Sequence, residues 1–418
     1  MQSSDQPLST SRAPLRYLIF TWDGAGNQPP AIAIAQQLTK QGHSVSVAGY
    51  DSQRSRFQKR GIRFIQLEQT HATVVASRST GLDRLIDTTW CCRAQLMDVP
   101  TLVEREKPDR IIVDCMMYGA LAAVEKNPEM TKISYILVHT IPGGISAPGG
   151  QLESWAMQSV NEMRVAAALE PVKELWDTWK WAEGRPMDRA LVTSVPELDP
   201  LTPRLNHFLY RWIGPQVENV PPSGWINPWA QDDQRSFILV SFSTEPFFDC
   251  VSRMQRTLTG LADQTNTEPF FDCVSRMQRT LTGLADQTKY RILVTATVTP
   301  MEKVDIPHNA VIVEQLPHSD ILPLGVDVVV THAGHGTTSI ALQYGIPLVC
   351  LPFGADQPTL AQRVEQLGAG IALNGEQATP EQIHDAVQRC IEDPSFKSQA
   401  KKMSSTIANV LAKGFSIE

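Results

Sequence analysis

Between Val330 and Leu373 the chain reads VTHAGHGTTSIALQYGIPLVCLPFGADQPTLAQRVEQLGAGIAL, with its chemically able residues at two strand-to-helix turns. Gly334, His335, Gly336 and Thr337 fall where a buried strand gives way to a helix. Small residues at such a start leave main-chain N–H groups open, and those donors together with the helix dipole favour an anion such as a phosphate. Asp356 and Gln357 follow the next strand, and an adjacent carboxylate and amide suit vicinal hydroxyls. Asp-Gln-Pro is also a good helix start, so capping and ligand binding both stand as readings of this pair. The layout is a phosphate cradle beside a polar clamp.

This stretch resembles the nucleotide-sugar signature of B-fold glycosyltransferases (GT-B), in particular the macrolide and UDP-glycosyltransferase superfamily, whose pattern runs HGGxGTxxEALxxGVPxxxxPxxxDQPxxAxRVxxLGxG. The resemblance implies that His332 and Thr337 donate to a diphosphate and that Asp356 and Gln357 bind sugar hydroxyls. Ser243 and Thr244 resemble the Gly-Ser or Gly-Thr that faces the diphosphate. Gln315-Leu316-Pro317-His318 stands where many relatives have Trp-Val-Pro-Gln, with the Trp stacked on the base. Ile340 replaces the glutamate that accepts from the ribose hydroxyls, which favours a dTDP-sugar over a UDP-sugar.

Relatives also carry GHxNP after the first strand, the histidine being the base that deprotonates the acceptor. Here the run is Gly26-Asn27-Gln28-Pro29-Pro30, and Asn27 cannot take a proton. Asp114, ending the run IIVD, matches the aspartate that orients that histidine in the family. Asp114, Asp23 and His139 are the candidate bases, with displacement lacking a side-chain base as the remaining alternative. Asn27 is expected to orient the acceptor. Trp176, Trp179 and Trp181 suit a flat apolar acceptor above the cleft, and equally suit a core.

The elements that must position these residues are alternating strands and helices. Strands are predicted over 15–22, 44–48, 110–114 and 134–138, with a helix over 30–41, which makes a βαβ opening and a parallel sheet covered on both faces. A second series is predicted over 237–242, 292–297, 310–314, 326–331 and 348–351. The expected fold is α/β: two Rossmann-like, doubly wound parallel-sheet domains facing a central cleft. The division expected is a disordered leader (1–14), an acceptor domain (15–212), a Pro/Gly/Asn-rich linker (213–235), a nucleotide-sugar domain (236–393) and a C-terminal helix (394–418) packing back on the first domain. The segment TEPFFDCVSRMQRTLTGLADQT at 244–265 recurs unchanged at 267–288. Two copies are too few for a solenoid, so one is expected to supply the helix of the sheet and the other to bulge outward.

At 418 residues the chain has room for two domains, and 42% hydrophobic with 19% charged residues describes a globular protein. A net charge of −7 lacks the basic excess that binding nucleic acid needs. No apolar run approaches the roughly 20 residues of a membrane helix. The seven cysteines form no CxxC pair, so neither a disulfide framework nor a zinc site is read, and a reduced, cytoplasmic setting fits. No DxD-like carboxylate pair is visible, so metal independence is expected, with the NDP-sugar as co-substrate and no cofactor. These residues point to an inverting hexosyl transfer onto a small apolar or aromatic natural product. The rival readings are a non-catalytic sugar-nucleotide-binding homologue or partner protein, and a sugar-nucleotide epimerase.

Overall fold

The structure, a computed structural model, describes residues 13–415 except 25, 80–85, 141–150, 175–176, 178, 180, 182–188, 202–208, 243–270, 297–298 and 355. Two sheets carry it. The first has seven parallel strands: β1 (Arg16–Phe20), β2 (Ser44–Gly49), β3 (Arg63–Gln66), β4 (Arg110–Asp114), β5 (Ser134–Val138), β6 (Ala190–Val192) and β7 (Tyr210–Trp212), in spatial order 3-2-1-4-5-6-7. The second has six: β8 (Ser236–Ser241), β9 (Tyr290–Thr295), β10 (Ala310–Val313), β11 (Val328–Thr331), β12 (Leu348–Cys350) and β13 (Gly370–Ala372), in order 10-9-8-11-12-13. This is the GT-B architecture expected from the sequence.

The strands are continuous apolar runs because both sheet faces are covered. Along β1 the faces alternate: Leu18 and Phe20 join one apolar cluster, Tyr17 and Ile19 the other. Along β8, Phe237 and Leu239 face one cluster and Ile238 and Val240 the opposite one. Four buried layers therefore flank two sheets. Losing a large side chain such as Phe20, which is fully buried, costs about 3–5 kcal/mol.

Helix α1 (Gln28–Lys40) follows β1 and starts with prolines, whose missing N–H costs nothing in a first turn. It buries Ala31, Ile32, Ile34, Ala35 and Leu38 against the sheet. Gly42 ends it at φ 91, donating to the Thr39 carbonyl at 3.0 Å while the His43 N–H reaches the Leu38 carbonyl at 3.1 Å. In the second domain the helix between β8 and β9 is α2 (Phe271–Gly283), which comes from the second copy of the duplicated segment. Cys273, Met277, Leu281 and the following Leu284 lie at helical spacing and bury on one face. The first copy lies outside the described residues. Further on come α3 (His335–Gln343), α4 (Gln357–Gln366), α5 (Pro380–Glu392) and α6 (Pro394–Ala412).

The linker binds each domain in turn. The Asn219 N–H donates to Gln36 Oε1 of α1 at 2.9 Å, whereas the Ser223 N–H donates to Asp320 Oδ2 in the second domain at 2.7 Å. Trp225 and Trp229 then pack on the second domain's core. Beyond α6 the chain returns to the first domain: Phe415 buries in the cluster containing Ile19 and Ile32, and Gln41 Nε2 donates to its carbonyl at 2.6 Å. Among the described residues no helix is long and apolar enough to cross a membrane.

Candidate functional site

In both sheets the strand order reverses beside the first strand of its domain, between β1 and β4 and between β8 and β11. The crevice at the carboxyl ends of such strands is where open α/β sheets bind ligands. Asn27 and Asp114 stand at the first crevice, and the residues from His332 onward at the second.

Helix α3 begins without a side-chain cap and without an acidic residue in its first turn. Its first intrahelical bond runs from Thr338 N to Gly334 O at 3.0 Å, so the N–H groups just before it are open to a ligand. Gly334 is small for a steric reason: a Cβ there would lie 2.3 Å from His332 Nε2. The imidazole thus rests directly on the helix start. Ala333 occupies a left-handed conformation, φ 61, at the place where the pattern has glycine, a strained position of the kind that gathers at ligand sites. His332 is buried, and burial lowers its pKa to about 4, so it stays neutral near pH 7. Thr337 is partly buried in the same first turn.

Asp356 precedes α4, but its side chain makes no capping bond, which leaves the carboxylate for a ligand. Burial raises its pKa to about 6, with its own main chain and His139 opposing that shift. Gln357 is fully buried; its Oε1 accepts the Phe353 N–H at 2.8 Å, and its Nε2 has no partner among the described residues. Its amide therefore offers a donor. His318 Nε2 lies 3.3 Å from Ser241 Oγ, and burial lowers its pKa to about 4. Leu316 is buried in the second domain's core and Gln315 is exposed. Ile340 also packs in that core, so no acceptor stands at its position. Ser243 and Thr244 lie outside the described residues.

Across the cleft, Asp114 is fully buried and His139 is 14% exposed, with His139 Nε2 and Asp114 Oδ2 at 2.9 Å. Asn27 Nδ2 reaches the same Oδ2 at 3.2 Å, and the Met116 N–H reaches Oδ1 at 3.0 Å. Three of the four first-domain candidates thus form one cluster. The fourth, Asp23, is exposed and accepts from Ser52 Oγ at 2.8 Å. Trp179 buries against Tyr210 and Trp181 packs on the same core, so both serve packing; Trp176 lies outside the described residues.

Two features escaped the sequence. The His335 side chain, considered only for its main chain, faces the first domain: the main chain at Thr193 and the His139 ring are both near enough to bear on its charge, in opposite directions. Burial, the largest effect, brings it to about 3, and its buried Nε2 has no partner among the described residues. Thr193 follows β6, a three-residue strand too short to show periodicity. The second feature is Arg276 on α2, fully buried, stacked 3.6 Å from the Phe353 ring centre and donating to the Leu351 carbonyl at 3.1 Å. Its position in a repeated segment hid it.

The fold is that of the GT-B glycosyltransferases. Residues 279–411 match the family described as Erythromycin biosynthesis protein CIII-like, C-terminal domain. Over nearly its whole length the chain is similar to 4'-demethylrebeccamycin synthase of Lentzea aerocolonigenes, 23% identical over 433 aligned residues covering 93% of this chain and 94% of the relative. Among solved structures it resembles the glycotransferase of kitacinnamycin, with TM-score 0.68, 18% identity and 96% of both chains covered. It also resembles the Streptomyces sp. SF2575 glycosyltransferase SsfS6 complexed with thymidine diphosphate, with TM-score 0.56, 17% identity and coverage of 94% and 96%. The resemblance seen in the 330–373 stretch therefore stands.

Proposed function

We propose that the protein is an inverting glycosyltransferase that moves a hexose from a dTDP- or UDP-sugar to a small apolar or aromatic natural-product acceptor. The observation that carries this reading is the uncapped start of α3 under His332, beside an Asp356 carboxylate that is not used for capping. Negative charge grows on the diphosphate as it leaves, so donors fixed in advance stabilise the transition state more than the bound donor. The N–H groups before Thr338, with neutral His332 and the Thr337 hydroxyl, act as such donors. Asp356 accepts from sugar hydroxyls, and the free Gln357 Nε2 donates to one. Gln315, Leu316 and His318 border the base. Attack from the first domain, on the face opposite the leaving group, inverts the anomeric centre.

Buried Ile340 gives a ribose 2′-hydroxyl no acceptor, which supports dTDP, as does the thymidine diphosphate complex of SsfS6. The relatives named for demethylrebeccamycin and kitacinnamycin support a natural-product acceptor. We assign the reaction no metal and no cofactor beyond the donor, and place it in the cytoplasm.

The test incubates the protein with dTDP-glucose or UDP-glucose and a panel of phenols and polyketides, following nucleotide release and product mass. Glycosylated product with inverted configuration is expected. Tight NDP binding without transfer to any acceptor sinks the proposal.

A further inference from the structure

The site described so far holds the donor but leaves open what takes the acceptor's proton. We propose that His139 is the general base of the transfer, with Asp114 its positioning residue; this rests on the glycosyl-transfer reading above.

The hydrogen-bond inventory fixes the tautomer. Asp114 Oδ2 receives the Asn27 amide at 3.2 Å and lies 2.9 Å from His139 Nε2, while Oδ1 receives the Met116 N–H at 3.0 Å. An ionised carboxylate only accepts, so the proton of the neutral imidazole sits on Nε2. The lone pair is then on Nδ1. That atom is shielded and has no hydrogen-bond partner among the described residues, so it is the ring nitrogen left to take a proton. Asn27, at the place expected for the base, spends its amide on the carboxylate and so helps to hold the dyad.

The position is also right. His139 follows the last residue of β5, and Asp114 ends the adjacent β4, paired in register with Leu137. Both therefore stand at the carboxyl ends facing the other domain. His139 also bears on the charges of His335 and Asp356 in the second domain. Asp23, by contrast, is exposed and engaged with Ser52.

The acceptor O–H proton passes to His139 Nδ1 while the acceptor oxygen bonds to the anomeric carbon. The bond from that carbon to the diphosphate oxygen breaks, and its electron pair leaves with the nucleoside diphosphate. Asp114 stabilises the imidazolium without accepting its proton, as an orienting carboxylate does in other acid–base dyads.

The experiment compares wild type with His139→Gln, Asp114→Asn and His139→Ala, using the full chain and one turned-over acceptor. His139→Gln retains an amide able to reach Asp114 and serves as the variant that keeps its fold, checked by an unchanged melting temperature. It is expected to lower kcat about 100-fold or more, with NDP-sugar affinity within about twofold of wild type. The acid limb of the kcat profile disappears with it. Asp114→Asn lowers kcat and shifts that limb, whereas a purely structural role would leave the limb in place. Turnover in His139→Gln within about threefold of wild type, or persistence of the acid limb there, overturns this proposal alone. A wild-type protein that binds NDP yet neither transfers nor hydrolyses the donor overturns both readings.

Discussion

At the scale of single residues, Gly334 and Asp356 make separable demands on the donor site. Adding a methyl at Gly334 pushes against His332 Nε2 at 2.3 Å, so the ring must leave the helix start. Gly334→Ala is expected to weaken NDP binding about tenfold or more, about 1.4 kcal/mol, with only a small loss of melting temperature. Calorimetric titration with dTDP checks it, and an unchanged Kd refutes the steric role. Asp356 gives a pH signature. With its pKa raised to about 6, only about a tenth of the carboxylate is charged at pH 5, so NDP-sugar affinity falls about tenfold between pH 7.5 and 5. Asp356→Asn removes most of that pH dependence. A titration of the intact NDP-sugar, which has no phosphate group ionising in this range, measures it. The stability linkage has the opposite sign. The folded state holds this proton more tightly than the unfolded chain, so the contribution of Asp356 to stability is present at low pH and is lost as pH rises through about 4 to 6.

At the scale of elements, the duplicated segment decides which chain length the fold needs. Helix α2 comes from the second copy and already supplies the buried face of Cys273, Met277 and Leu281 together with Arg276 under Phe353. Because the copies are identical, removing 244–266 or 266–288 yields the same polypeptide, in which Ser243 still precedes a Thr-Glu-Pro run. That shortened chain is expected to fold with equal or higher stability, by about 1 kcal/mol from the shorter loop, and to keep its NDP affinity. Denaturant unfolding and dTDP titration decide the matter; a chain that no longer folds shows that both copies are structural. The same elements show how far the sequence could be read. The strand expected over 110–114 and that over 134–138 match β4 and β5 to the residue, since buried parallel strands are unbroken apolar runs. The short β6, β7 and β13 left no such signal, and Thr193 was missed with β6. The dyad was half legible: His139 and Asp114 were each recognisable at strand ends, but their 2.9 Å approach depends on β4 and β5 being neighbours, a tertiary fact.

At the scale of the whole molecule, the two domains are joined by the linker and by the returning C-terminus, and the second of these is the more testable. Phe415 buries in the first domain's core, Gly214 has no room for a Cβ because Leu411 would lie 2.8 Å away, and Arg363 Nε donates to the Glu197 carbonyl at 2.7 Å. These contacts tie the wall that carries His139 to the wall that carries Asp356 and His335. The donor groups sit wholly on the second domain and do not depend on that tie; transfer does. Phe415→Ala, a large-to-small change in a core, is expected to cost up to about 3–5 kcal/mol, chiefly in the stability of the first domain and of the domain contact. NDP affinity should stay within about threefold while kcat falls at least tenfold, because misplacing the base by an ångström is costly even when each half is intact. Isothermal titration with dTDP alongside initial-rate kinetics checks this. Parallel loss of NDP binding and turnover shows instead that the C-terminus stabilises the donor domain itself, and that the two halves do not act as separable walls of one site.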